Sequence, residues 1–131
     1  QQKFAASLLL YEGEDKSQMR VKHRDRGSER PIDRPVNDLD TVLGHHACES
    51  GKAPRVVADM RRFGGYAQKS PTQSRPNYRS IFLQPVASSQ NGAISGFLSV
   101  DCTVAHAFHR DRAVDLAALL EPLKAHIEDM I

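Results

Sequence analysis

Tryptophan is absent from this 131-residue chain, and Phe, Trp and Tyr together make up only 6% of it. Single-stranded nucleic acid is gripped by aromatics interleaved with basic residues, and that combination is missing here. Charge of one sign is also scarce: the formal net charge is +2, too small to mark a polyanion-binding surface. There are only two cysteines, Cys48 and Cys102, far apart in sequence, which excludes a disulfide framework and fits a reducing, cytoplasmic setting. No apolar run approaches the roughly 20 residues needed to cross a bilayer as a helix. Nor is there a basic head and apolar centre of a signal peptide. What remains is ordinary for one soluble globular domain: 40% apolar and 26% charged residues in 14.6 kDa. The chain opens at Gln1 rather than Met, as expected of a piece of a longer protein.

The residues that are present read as strands and two helices. Lys3 to Tyr11 is a near-continuous apolar run, the pattern of a strand covered on both faces. After the turn Glu12-Gly13-Glu14-Asp15, the alternation in Gln18 to His23 predicts a half-exposed partner strand. Arg24 to Pro35 is charged and punctuated by Gly27, Pro31 and Pro35, a loop. Asn37 and Asp38 suit the cap of a helix over roughly Leu39 to Ser50, with Gly51 as its stop. Ala53 to Asp59 gives a third strand, with Pro54 tolerated at its start. Arg61 to Asn77, carrying Gly64-Gly65, is longer than most connections, as binding loops often are. Arg79 to Val86 and Ala93 to Asp101 are two further strands joined by Ser88-Ser89-Gln90-Asn91-Gly92, where Asn-Gly tolerates positive φ.

A final helix is predicted to start between His109 and Asp111 and to reach the end of the chain. Ala113, Leu116, Leu120, Leu123, Ile127 and Met130 recur at steps of three and four, widened by Val114, Leu119 and Ile131. Pro122 within it predicts a kink. The first half of this seam has to cover the domain's own sheet. For the second half, core packing and a partner helix compete equally.

Three clusters bear on chemistry. His45, His46 and Cys48 fall on the first predicted helix, but a metal would need further ligands, and His106 and His109 lie far along the chain. A partly exposed histidine pair is the better reading, and no metal is expected. Arg20, Lys22, Arg24, Arg26, Arg30 and Arg34 are interrupted by Asp25, Glu29 and Asp33, which reads as a solvated hairpin end. No nucleic-acid partner is expected. The cysteines read as small buried hydrophobes.

In wording and order, five segments resemble the GAF superfamily of small sensory domains. They are Leu8-Leu9-Leu10-Tyr11-Glu12, the stretch from Leu43-Gly44 to Ser50-Gly51-Lys52, Arg55-Val56-Val57-Ala58-Asp59, the stretch from Tyr78 to Pro85-Val86, and Gly96-Phe97-Leu98-Ser99-Val100-Asp101 with Ala107-Phe108 after it. The resemblance implies an α/β domain of the α+β type. Its antiparallel sheet of five to six strands is flanked by helices, and the visible strands are ordered 2-1-5-4-3. It implies one domain over residues 1–131, short of the long N-terminal helix with which such domains usually open. Neither the cyclic-nucleotide motif nor the pigment-attachment cysteine of some members is present.

The resemblance also places the cavity under the long connection. Asp59, Arg61, Arg62, Phe63 and Tyr66 open that segment and Tyr78, Arg79 and Ser80 close it. Arginines there suit an anionic effector and the aromatics a ring or apolar body. Dimer contacts are expected on Leu116, Leu120, Leu123, Ile127 and Met130. The expected work is non-catalytic: a ligand-sensing, dimerising module attached to an output domain in a larger bacterial signalling or transcription protein. No cofactor is expected beyond an unidentified small-molecule effector. The alternatives are a ligand-free pairing module and a thiol-dependent free methionine sulfoxide reductase. Against the reductase, Arg61 to Asn77 contains no cysteine.

Overall fold

The computed structural model describes residues 2–25, 32–62, 78–109 and 111–131, with Arg62 described for its backbone alone. Strand β1 (Phe4–Glu12) turns through Gly13, at φ +80°, into β2 (Gln18–Arg24). A two-residue β3 (Pro35–Val36) follows, then a 3-10 turn at Leu39–Thr41 and helix α1 (Leu43–Glu49). Strand β4 (Arg55–Val57) leads to a second 3-10 turn, Met60–Arg62. The hairpin β5 (Ser80–Ala87) and β6 (Ile94–Cys102) precedes helix α2 (Asp111–Met130).

One six-stranded antiparallel sheet takes the order β3-β2-β1-β6-β5-β4. This is the order expected for the five longer segments, with β3 added at the edge beside β2, where the sequence presented the end of a loop at Pro35. The apolar run of β1 has the cause inferred for it, because both faces are covered. Leu9 packs into the core on the α1 side, while Leu8 and Leu10 pack on the α2 side. β5 is buried along its whole length, with Ile81 and Leu83 facing α1 and Phe82 and Val86 facing α2.

Two local expectations change. The helix predicted over 39–50 is two pieces, because Val42 between them is extended at φ −103° and ψ 112°. That break lets Leu39, Val42 and Leu43 all turn toward the same core. Asp38 stands at the cap position without a side-chain cap bond. The hairpin tip is also looser than a two-residue Asn-Gly turn. Only Gly92 takes a positive φ, +70°, and the tip is closed by Ser88 N–H to Ala93 O at 2.9 Å and Gly92 N–H to Ser88 O at 2.7 Å.

Helix α2 runs through Pro122 as one element. The apolar seam read from its sequence divides in two. Ala113, Leu116, Ala117 and Leu120 pack on Phe82, Cys102 and Phe108, and Ile127 packs with Val86 and Leu98. Leu123 is half exposed and Met130 exposed, and they are joined on the outer surface by Val114 and Leu119. Among the described residues, no helix is long and apolar enough to cross a membrane.

Candidate functional site

The sheet face that carries α1 has two parts. Over one part, α1 is seated closely. Gly44 lies so near Phe97 that a Cβ there would meet the ring at 2.1 Å. The Cys48 thiol donates to the Gly96 carbonyl at 3.1 Å, and the Tyr11 hydroxyl lies 2.6 Å from His45 Nδ1. Glu49 faces both imidazoles, at 3.3 Å from His45 Nε2 and 3.5 Å from His46 Nδ1, while His46 Nε2 lies 2.9 Å from the Asp40 carbonyl. Burial pushes the Cys48 thiol up to about 11 and, with Cys48 and Glu49 nearby, pushes the Tyr11 phenol up as well. A thiol held protonated is a poor nucleophile. The histidine pair is partly exposed, as expected, and His45 also ties α1 to the sheet through Tyr11, while His46 bonds the turn before α1. Among the described residues no group of His, Cys, Asp or Glu is arranged to hold a metal ion.

The other part of the face continues along β1, β6 and β5. Ser99 is two residues beyond Phe97 on the same side of β6, roughly 7 Å further along the strand. Its hydroxyl pairs with that of Ser7 at 2.6 Å, and both serines are buried. Asp101, opposite Ile81 in the register, follows on the same side. Val57, Met60 and Tyr78 belong to the same apolar cluster as Ile81. The two hydroxyls satisfy one another within the buried sheet face, as buried polar groups must.

At the edge of this face stands an ion pair. Arg79 reaches Asp59 with Nε and Nη2 on Oδ1 at 3.2 and 3.1 Å, and with Nη2 on Oδ2 at 3.1 Å. The Arg61 N–H also donates to Asp59 Oδ1, at 3.1 Å, and the Met60 N–H donates to the Arg79 carbonyl at 2.6 Å. The Asp59 side chain is 11% exposed and that of Arg79 30%. Together these bonds join the two ends of the long connection.

Of the eight residues assigned to a pocket from sequence, the structure joins Asp59 and Arg79 as an ion pair and packs Tyr78 on the α1-side core. Ser80 goes the other way: it sits opposite Cys102 and donates its hydroxyl to the Val104 carbonyl at 2.7 Å on the α2 side. Arg61 is exposed, and the Arg62 side chain, Phe63 and Tyr66 lie outside what the structure describes, as does Gly64-Gly65. Sequence reasoning missed Ser7 and Ser99. The available signal was a single serine inside an otherwise apolar first strand, whose partner only strand pairing reveals.

No protein-family profile and no curated protein matches the sequence. Solved structures match along nearly the whole chain. The GAF domain of a two-component sensor histidine kinase from Bacillus halodurans superposes with a TM-score of 0.70 at 19% identity, covering 96% of this chain and 82% of that one. The GAF domain of a phosphoenolpyruvate-protein phosphotransferase from Coxiella burnetii gives 0.68 at 18% identity, covering 94% and 70%. A type II free methionine-R-sulfoxide reductase from Thermoplasma acidophilum gives 0.64 at 17% identity, covering 95% and 80%. At these identities the likeness is one of fold, and it agrees with the five sequence segments in their order: the chain has the GAF fold.

Proposed function

We propose that this chain is a non-catalytic regulatory module that senses a small molecule on the α1 face and pairs with a second copy through α2. In the whole protein it would bias an attached output domain, in a reducing, cytoplasmic setting. The fold supports this reading because two of the similar structures are GAF domains of a sensor kinase and a phosphotransferase. The observation that carries it is the outer flank of α2, where Leu119, Leu123 and Met130 are 77%, 47% and 72% exposed. Their spacing of four and seven residues is heptad-like, the pattern that packs one helix on another, whereas Leu116, Leu120 and Ile127, also expected at the dimer contact, pack on the chain's own sheet. The test is sedimentation of the wild type beside a Leu119→Glu, Leu123→Glu variant. A dimer that the double variant abolishes supports the reading, and a wild-type monomer at high concentration removes it.

The effector is a small metabolite whose anionic group would use Arg61 and Arg79. Asp59 already holds Arg79, so an anion has to compete with that carboxylate or take Arg61 alone. A metabolite panel read by thermal shift tests this, since a ligand bound only to the folded state raises the melting temperature by mass action. No shift across the panel would favour a module kept for pairing alone.

A second reading follows from the similarity to the Thermoplasma enzyme, namely thiol-dependent reduction of free methionine sulfoxide. The arrangement of thiols argues against it. Cys48 belongs to the core on the α1 side and Cys102 to the core on the α2 side, with the sheet between them, so they cannot form an attacking and resolving pair. Turnover of free methionine sulfoxide by the wild type, lost in Cys48→Ser, would reverse this choice.

A further inference from the structure

The last turn of α2 is tied to the tip of the β5–β6 hairpin by polar bonds that neither helix nor hairpin needs for its own geometry. The register between β5 and β6 shifts between Val86 and Ala87, and the Ala87 N–H donates to Glu128 Oε2 at 2.7 Å. The other carboxylate oxygen accepts from Lys124 Nζ at 3.1 Å, one helical turn back. Two residues along the tip, the Ser89 N–H donates to the Glu128 carbonyl at 3.0 Å, and the Ser88 hydroxyl donates to the Ile131 carbonyl at 2.6 Å. Ile127, the only buried side chain of α2 among the described residues, packs on Val86 and Leu98 beneath these bonds. The Glu128 side chain is 18% exposed, so its hydrogen bonds are shielded from competing water.

We propose that Glu128 forms a clamp that makes the hairpin tip and the last turn of α2 move as one unit. The path is short. Leu83 of β5 faces the α1 core, Val86 three residues later faces α2, and Ala87 is held by Glu128. A displacement of β5 on the α1 side is thereby passed to the end of α2, beside exposed Leu123 and Met130. This inference rests on the regulatory reading only for the use made of the movement. The clamp itself is a property of the folded chain, and its coupling is read from whether its two ends respond together to one perturbation.

Amide hydrogen exchange of the whole chain tests it without any ligand. Glu128→Ala should speed exchange at Ala87 and Ser89 and at residues 124–130 together, by roughly tenfold, the factor carried by a charge-assisted hydrogen bond. Amides of β1, β2 and α1 should keep their wild-type rates. Leu83→Ala, on the opposite face, should speed residues 124–130 in the wild-type background and add nothing there in Glu128→Ala. A rise confined to Ala87, or an α2 end indifferent to Leu83→Ala, overturns the proposal. If Glu128→Ala fails to fold, Ser88→Ala removes one bond of the same clamp and carries the same comparison. Sedimentation is independent of these rates, so loss of the dimer reading and loss of the clamp are separate results.

Discussion

Gly44→Ala sets two effects of known sign against each other at the seat of α1. In a helix Ala is favoured over Gly by at most about 1 kcal/mol, and less here because Gly44 stands in the first turn. Against this, the new methyl would lie 2.1 Å from Phe97 Cζ and 2.2 and 2.3 Å from its two Cε atoms. Ordinary carbon contacts are about 3.5–4.0 Å, so ring and helix must separate by more than about 1 Å. Neither can yield easily. Phe97 is 4% exposed in a core with Leu9, Met19 and Leu83, and α1 is fastened by Cys48 to Gly96 and by His45 to Tyr11. Overpacking of this kind costs about 1–3 kcal/mol, so the variant should be destabilised by about 1–2 kcal/mol overall. The assay is urea unfolding followed by far-UV circular dichroism, because the chain has no Trp to report fluorescence. Adding Phe97→Leu should recover part of the loss, with a coupling of about 1 kcal/mol between these touching residues. A Gly44→Ala protein as stable as the wild type, or more so, would refute the seating of α1 on Phe97.

Gly96→Ala should cost more than Gly44→Ala, because its Cβ would meet the Leu9 carbonyl oxygen at 2.1 Å and the Leu10 Cα at 2.8 Å. Backbone cannot swing aside as a side chain can, and thermal melts of the two variants side by side check the ranking. Stability should fall as pH rises from about 9 to about 11, because the Cys48 thiol is pushed up from an ordinary value of 9.0 to about 11. In that window the folded state holds a proton that the unfolded state has released, and the raised Tyr11 phenol acts in the same direction. Melts of Cys48→Ala across this range should show a shallower loss than the wild type, and an unchanged slope would refute the assignment. Asp59→Asn should destabilise by about 1–2 kcal/mol through loss of the charge-assisted bonds to Arg79, measured by urea unfolding.

The sequence alone determined the elements that depend on neighbours along the chain. The doubly covered run of β1, the hairpin of β5 and β6 with a glycine at its tip, the strand order and a C-terminal helix from near Asp111 follow from periodicity and turn chemistry, with the segments' resemblance supplying the order. It also gave the right environment for both cysteines, which are buried. The tertiary structure decided whatever depends on which residues face each other. Leu119 and Leu120 are adjacent and identical in type, yet the orientation of α2 on the sheet buries one partly and leaves the other 77% exposed. Ser80 fell among pocket residues by its place in the chain, but the pleat turns it to the α2 side while Arg79 meets Asp59, twenty residues away. Val42 interrupts the helix read from sequence with an extended backbone, and Leu39, Val42 and Leu43 all pack on one core. Ser7 and Ser99, ninety-two residues apart, become a pair only through the register of β1 on β6. Periodicity is written within a segment, so a sequence shows which residues share a face. What that face meets is fixed by strand register and helix orientation, which arise only when distant segments pack.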